Sequence, residues 1–408
     1  MSSQVATAPP RAVATAPTRQ AWLMLGLATV GFAVNFWAWA LISPLGVHFK
    51  DVLHLTSFQQ ALLVAVPVVV GSLGRIPVGA LTDRFGARIM FPAVSIATVA
   101  PVLFLGLIGH SSYAALLVGG FFLGVAGTAF AVGVPFVSAW FPPERRGLAV
   151  GIFGAGMGGT AISALTTVKL FKAHGLAAPF VLTAVVLAGY AVLAALLVRD
   201  APGRTAPSEP LVRRLVATCR LRITWQASAL YAVGFGGYVA FSVYLPTYLK
   251  SAYSLTQGDA ANKMAGFVLL AVLMRPVGGW LSDRIGPIPV LSTAFAVLAA
   301  SAAVQSATPA LAPVGTVAFL VMAAALGAAS GAVFALVAQR SPAGKVGAVT
   351  GVVGAAGGLG GFVPPLIMGS LFGHLGTYGP GLIALGVVAL LVLSLTVTVV
   401  RRPEVATL

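Results

Sequence analysis

The chain has 408 residues, of which 59% are apolar and only 8% charged, against the roughly one-quarter charged content of a soluble globular chain. That composition excludes a water-soluble globular fold and places the chain in lipid. The net charge of +16 would point a soluble protein toward nucleic acid, but here the basic residues cluster at the ends of apolar runs, where membrane topology accounts for them and no nucleic-acid partner is implied.

Residues 1–20 are rich in Ala, Pro, Ser and Thr, and no apolar run precedes Gln20, so they read as a disordered tail and not as a cleaved signal. Apolar stretches long enough to cross roughly 30 Å of hydrocarbon at about 1.5 Å per residue follow at 21–49, 58–82, 89–108, 114–141, 147–170 and 178–198. A polar, basic linker at 199–223 comes next. Six more stretches lie at 224–249, 264–281, 288–307, 314–337, 347–371 and 379–400, ahead of a short tail at 401–408. The runs lack the period-two alternation of barrel strands, so the fold class is an all-α membrane protein of about twelve transmembrane helices.

Lys50, Lys169, Lys172, Lys250 and Lys263 fall on one side of this topology. All other basic residues but two fall on the other. The positive-inside rule then puts both termini and the 199–223 linker in the cytoplasm of a cell whose inner membrane holds the chain. The lone Cys219 has no internal disulfide partner, and the five histidines sit at helix ends or in loops, which gives no support to a buried histidine proton relay.

The second stretch ends Arg75-Ile-Pro-Val-Gly79-Ala-Leu81-Thr-Asp83-Arg84-Phe-Gly86, and the eighth ends Arg275-Pro-Val-Gly-Gly279-Trp-Leu281-Ser-Asp283-Arg284-Ile-Gly286. Matched positions differ by 275 − 75 = 200. The same offset aligns Gly147, Gly151, Gly154 and Gly158 with Gly347, Gly351, Gly354 and Gly358. Two six-helix halves duplicated in parallel, 21–198 and 224–400, are the natural reading, and carriers built this way bind substrate between the repeats near the bilayer midplane. The run Gly79-x-Leu81-x-Asp83-Arg84-x-Gly86-x-Arg88 and its second copy resemble the loop signature of the major facilitator superfamily, over the whole chain. The resemblance implies that Asp83, Arg84, Asp283 and Arg284 gate the cytoplasmic side. Physically, Gly79 suits close helix approach and Gly86 a tight turn.

Arg75 lies eight residues before Asp83, roughly 12 Å inside the membrane boundary, and Arg275 is its counterpart. A charge at that depth costs roughly 2.5 to 3.5 kcal/mol or more unless compensated. None of Asp51, Asp83, Glu144, Asp200, Glu209, Asp259, Asp283 and Glu404 falls inside an apolar stretch. An anionic substrate is the simplest counter-charge. The competing structural explanation is that each arginine snorkels or bonds a carbonyl freed near Pro77 or Pro276. A guanidinium presents paired donors in a plane, so planar oxyanions such as nitrate, nitrite or a carboxylate suit it best.

Two glycine-rich stretches, 151–159 and 351–361, allow close backbone packing around a small cavity. With Arg75, Arg275 and Phe235-Gly-Gly they make the chain similar to the nitrate/nitrite porter family of that superfamily. The resemblance implies that the arginines hold the anion while Phe130 and Phe235 close over it and Tyr231, one turn before Phe235, contacts it. It also implies that Gly154, Gly158, Gly354 and Gly358 have structural roles. The family commonly carries an asparagine where this chain has Met157, which removes a polar contact. The expected activity is alternating-access transport of nitrate or nitrite, by exchange or with protons, by a monomer in the lipid bilayer without metal or other cofactor. A carrier of small organic anions such as formate or oxalate is the alternative, and a membrane sensor or scaffold a third. No nucleophile or metal-ligand constellation suggests an enzyme.

Overall fold

The structure is a computed structural model that describes residues 18–142, 145–202, 211–342 and 345–400. Of the tail expected at 1–20, residues 1–17 lie outside them, as do the tail at 401–408 and part of the linker, while Arg19 and Gln20 are already helical behind the Thr18 cap. The described residues form helices and short connections, with no strand among them. Twelve helices are long and apolar enough to cross a bilayer. The first six are α1 (Arg19–Leu53), α2 (Ser57–Phe85), α3 (Ala87–Leu107), α4 (Tyr113–Trp140), α5 (Leu148–His174) and α6 (Ala177–Leu197). The second six are α7 (Arg222–Tyr253), α8 (Gln257–Ile285), α9 (Pro287–Ser306), α10 (Leu311–Arg340), α11 (Ala348–Leu375) and α12 (Gly379–Val400).

Side-chain oxygens of Thr18, Thr56, Ser112 and Thr256 cap the starts of α1, α2, α4 and α8 by accepting backbone N–H bonds that the helix itself leaves open. Thr56 and Gln59 form a complete capping box. The cap at Thr256 corrects one boundary. Hydropathy starts the eighth span at 264, whereas α8 begins at Gln257, because a capped turn of polar residues is helical without being apolar. The linker holds a second correction, a helix at Leu211–Cys219 where the sequence read as loop. Gly86 and Gly286 end α2 and α8 with φ of 85° and 87°, a conformation open mainly to glycine, so the duplicated tight turn is real in both halves.

Within each half one helix pair stands outside, α3 with α6 and α9 with α12. Across the halves α2 faces α11, α5 faces α8 and α1 faces α7. Burial follows this plan. The most apolar window of α7 is 83% buried, while that of α12 is 28% buried, so α7 is central and α12 lies on the rim.

The helices that border the centre in the first half are broken at mid-depth. In α2 the helix is interrupted at Gly74, in α4 by a 3-10 turn at Gly124–Thr128, and in α5 by another at Ala155–Gly158. Such breaks leave carbonyls without helical partners, and at membrane depth they are tolerated only inside protein. In the second half, α7 and α8 run unbroken past the same level.

On the side away from the chain ends, the halves are joined by several bonds. Ser43 donates to the Val243 carbonyl at 2.7 Å, Gln60 to Thr247 Oγ1 at 3.1 Å and Gln257 to the Pro44 carbonyl at 2.7 Å. Lys250 pairs with Asp51 at 3.0 Å on the exposed edge. On the basic side, Arg214 of the linker helix pairs with Asp83 of α2 at 2.7 Å.

Candidate functional site

Arg75 and Arg275 are each 7% exposed, on α2 and α8. Their guanidinium carbons lie 5.7 Å and 5.6 Å from the centre of the same ring, Phe235 of α7. The two charges predicted from the repeat are therefore brought together around one aromatic side chain.

Their partners differ. Arg75 donates Nη1–H to the Gly354 carbonyl at 2.7 Å and Nε–H to the Gly127 carbonyl at 3.4 Å, so backbone oxygens from α11 and from the 3-10 turn of α4 hold it. Arg275 donates Nη2–H to Tyr231 Oη at 2.8 Å and Nη1–H to Met157 Sδ at 2.6 Å. Among the described residues neither arginine is paired with a carboxylate. Each guanidinium has five N–H donors, and these bonds leave donors over at both. Arg75 thus bonds carbonyls, as the competing explanation allowed, but those of Gly127 and Gly354 on other helices and not one freed near Pro77, while neither bond of Arg275 goes to a carbonyl. Neutral partners orient the charges but do not cancel them.

The aromatic frame is larger than the sequence suggested. Phe130 lies 5.0 Å from the Arg75 guanidinium and is backed by Phe32 and Phe153, which stack at 4.7 Å. Tyr231 and Phe235 stack at 4.8 Å with planes 3° apart, as their four-residue spacing on one helix face predicts. Phe334 of α10 was missed. It lies 5.5 Å from the Arg275 guanidinium and meets Tyr231 edge-on at 4.7 Å. The 200-residue offset from Phe130 points to Ser330, one turn away, so the repeat misdirects the search by four residues.

The signature glycines cross over between halves. A Cβ on Gly154 of the first half would sit 3.8 Å from Arg275 Nε, and one on Gly354 of the second half 3.9 Å from Arg75 Nη1. Each arginine therefore rests against the glycine stretch of the other repeat. The next pair is unequal, since a Cβ on Gly358 would fall 2.1 Å from Ser72 Oγ while one on Gly158 meets nothing within 4 Å. Gly79 does not provide the close helix approach expected of it. Its nearest neighbour would be Ala131 at 4.0 Å, and the tight crossing occurs at Gly278, where a Cβ would lie 2.2 Å from the Ala328 carbonyl.

A narrow cavity adjoins Arg75, lined by Phe36, Trp39, Ser72, Gly127, Val239 and Gly358 among others. Met157, 2% exposed, rests its thioether on Arg275. At the basic face Asp83 bonds Arg214, Arg84 packs over Phe85 at 5.3 Å, and Arg284 packs over Trp280 at 4.1 Å. Asp283 is exposed at the end of α8. Among the described residues the signature is thus duplicated in backbone but not in its ionic contacts.

A family model described as the Major Facilitator Superfamily matches residues 28–365 and, in a second match, 249–407. The probable nitrate/nitrite transporter NarK2 of Mycobacterium tuberculosis is 47% identical over 93% of this chain and 96% of its own length. The nitrite extrusion protein of Bacillus subtilis is 36% identical over 90% and 92%, and the probable nitrate transporter NarT of Staphylococcus haemolyticus 31% identical over 86% and 90%. Among solved structures, a bacterial homologue of the human lysosomal transporter Spinster, inward-facing and occupied, superposes with a TM-score of 0.72 at 18% identity over 94% of this chain and 97% of that one. The human organic anion transporter MFSD10 superposes at 0.73 with 14% identity over 94% and 100%, and both likenesses concern the fold. With twelve spans, the duplicated loop signature and relatives aligned over nearly their full length, the chain is a multi-pass membrane protein of the Major Facilitator Superfamily and belongs to its nitrate/nitrite porter family.

Proposed function

We propose that the chain carries nitrate and nitrite across the cell membrane by alternating access, and that the anion sits between Arg75 and Arg275 under Phe130, Phe235 and Tyr231. The observation that carries this reading is the pair of buried guanidinium groups with neutral partners, spare donors and no carboxylate among the described residues. A planar oxyanion between them takes bidentate charge-assisted bonds from both and has aromatic rings on its faces. The names of the full-length relatives support the choice of anion.

The same reading places the basic face, both termini and the linker in the cytoplasm of the plasma membrane, and the carrier works as a monomer. Asp83, Arg84, Asp283 and Arg284 gate that face. Exchange of nitrate for nitrite fits the site better than proton symport, because among the described residues no buried carboxylate stands beside the arginines to carry a proton. Formate or oxalate remain the alternative cargo, since a carboxylate presents the same paired oxygens.

Counterflow in proteoliposomes preloaded with nitrite tests this. External nitrate is expected to exchange, with chloride inert. Formate uptake without nitrate uptake would overturn the assignment.

A further inference from the structure

The connection between the halves carries a surface with no role in holding the anion. The linker helix ends at Cys219 and α7 begins at Arg222, so its last turn lies within about 10 Å of the start of a membrane span. On a helix, residues two apart point about 200° apart. Arg214 therefore faces away from both Val212 and Val216.

The structure follows this division. One face is turned inward, where Arg214 bonds Asp83 and Thr218, 2% exposed, donates to the Arg214 carbonyl. The other face is open, with Val212 71% and Val216 48% exposed and Arg213 and Arg220 exposed beside them. Neither of those two arginines has an ion-pair partner among the described residues. Trp225, 61% exposed at the start of α7, donates its indole N–H to the Cys219 carbonyl and so extends the open face with an aromatic ring suited to the headgroup level.

We propose that this face is an anionic-lipid docking surface. Val212, Val216 and the Trp225 ring enter the headgroup boundary of the adjacent leaflet, and Arg213 and Arg220 engage lipid phosphates. Two open cations flanking apolar side chains, on a helix tethered beside a span, match a negatively charged bilayer surface in both charge and depth. Because the opposite face of the same helix holds Asp83, docking fixes Arg214 toward α2. The lipid surface therefore supports the ion pair on the basic side.

Cys219 is the only cysteine, so a Cys219→Ser background accepts a single nitroxide label at Val216→Cys. The full chain is reconstituted in phosphatidylcholine vesicles with or without phosphatidylglycerol, and collision of the label with an aqueous nickel chelate is measured. Phosphatidylglycerol is expected to lower the collision rate severalfold, and high salt to reverse the effect. In Arg213→Gln/Arg220→Gln the response is expected to disappear, each arginine contributing about fivefold in surface partitioning, while counterflow in phosphatidylcholine stays at the level of the labelled parent. A label equally open to nickel in both lipids, or a response that survives in the double variant, overturns the proposal.

Discussion

Gly158 and Gly358 are the same position of the repeat, yet alanine at the two sites is expected to act very differently. At Gly358 the new methyl would lie 2.1 Å from Ser72 Oγ and 2.9 Å from Ser72 Cβ. Rotating the hydroxyl removes only the first overlap. Carbon atoms rest at about 3.5 to 4.0 Å, so α2 and α11 must separate by a further half ångström or more. Overpacking of this kind costs about 1 to 3 kcal/mol. Since Ser72 and Gly358 belong to different halves, the cost falls on this arrangement of the halves and lowers its population roughly 5- to 150-fold. At Gly158 the methyl meets nothing within 4 Å, and counterflow should stay within about twofold of wild type. The assay is the initial counterflow rate, with thermal unfolding in detergent as a check on folding. Ser72→Gly removes both clashing atoms and should restore much of the rate lost in Gly358→Ala, a coupling read by a double-mutant cycle. Equal losses at the two glycines, or no relief from Ser72→Gly, would refute the packing argument.

Arg75→Lys and Arg275→Lys should each lower nitrate counterflow at least tenfold, because an ammonium cannot reproduce the planar donors that also bond Gly354 and Tyr231; near wild-type uptake in both would end the arginine-pair reading. Tyr231→Phe deletes the acceptor of a buried charge-assisted bond worth about 1.5 to 3 kcal/mol, so affinity measured by nitrate competition should weaken by about tenfold or more with the ring packing retained. Met157→Asn should change the nitrate-to-nitrite preference, since an amide replaces a weak thioether acceptor on Arg275; an unchanged ratio assigns Met157 to packing alone. Lys250→Ala should leave transport and unfolding temperature nearly unchanged, because its partner Asp51 has a side chain 63% exposed and such pairs contribute about 0 to 1 kcal/mol.

Hydropathy and the 200-residue offset made the twelve spans, the duplicated turns at Gly86 and Gly286 and the arginine pair legible, because each depends on local composition or on a repeated backbone. Contacts between the repeats were not legible. The repeat points from Phe130 to Ser330, and only the path of α10 decides that Phe334, one turn on, reaches Tyr231. Gly79 looked like the close-approach glycine because it sits in the signature, but a Cβ on it would stay 4.0 Å from α4, and the close crossing is in the other half, where α10 meets Gly278, the counterpart of Val78. The Leu211–Cys219 helix escaped because two turns with interleaved arginines give too little apolar signal to distinguish a short interfacial helix from loop. The differing partners of Arg75 and Arg275 also lay beyond sequence. Two of them, Gly127 and Met157, sit in the mid-depth breaks of α4 and α5, which the repeated signature does not encode.

That asymmetry bears on exchange. The guanidinium carbons stand 5.7 Å and 5.6 Å from the Phe235 centre, hence no more than roughly 11 Å apart, and at an effective dielectric of about 20 two such charges repel by at least about 1.5 kcal/mol. An anion midway is attracted by about 3 kcal/mol to each, so occupancy changes the sign of the interaction across the halves from repulsive to attractive. Arg75 is anchored by backbone carbonyls of α4 and α11, one from each half, and its position therefore depends on how the halves meet. Arg275 likewise reaches Met157 of the first half and Tyr231 of the second. In the proposed alternating-access cycle, rocking of the halves would take from each guanidinium a neutral partner held by the other half, unless an anion took the vacated donors. An empty carrier thus faces both the repulsion and the lost hydrogen bonds, while a loaded one faces neither. On the proposed reading, that difference favours return only with cargo, as nitrate/nitrite exchange requires.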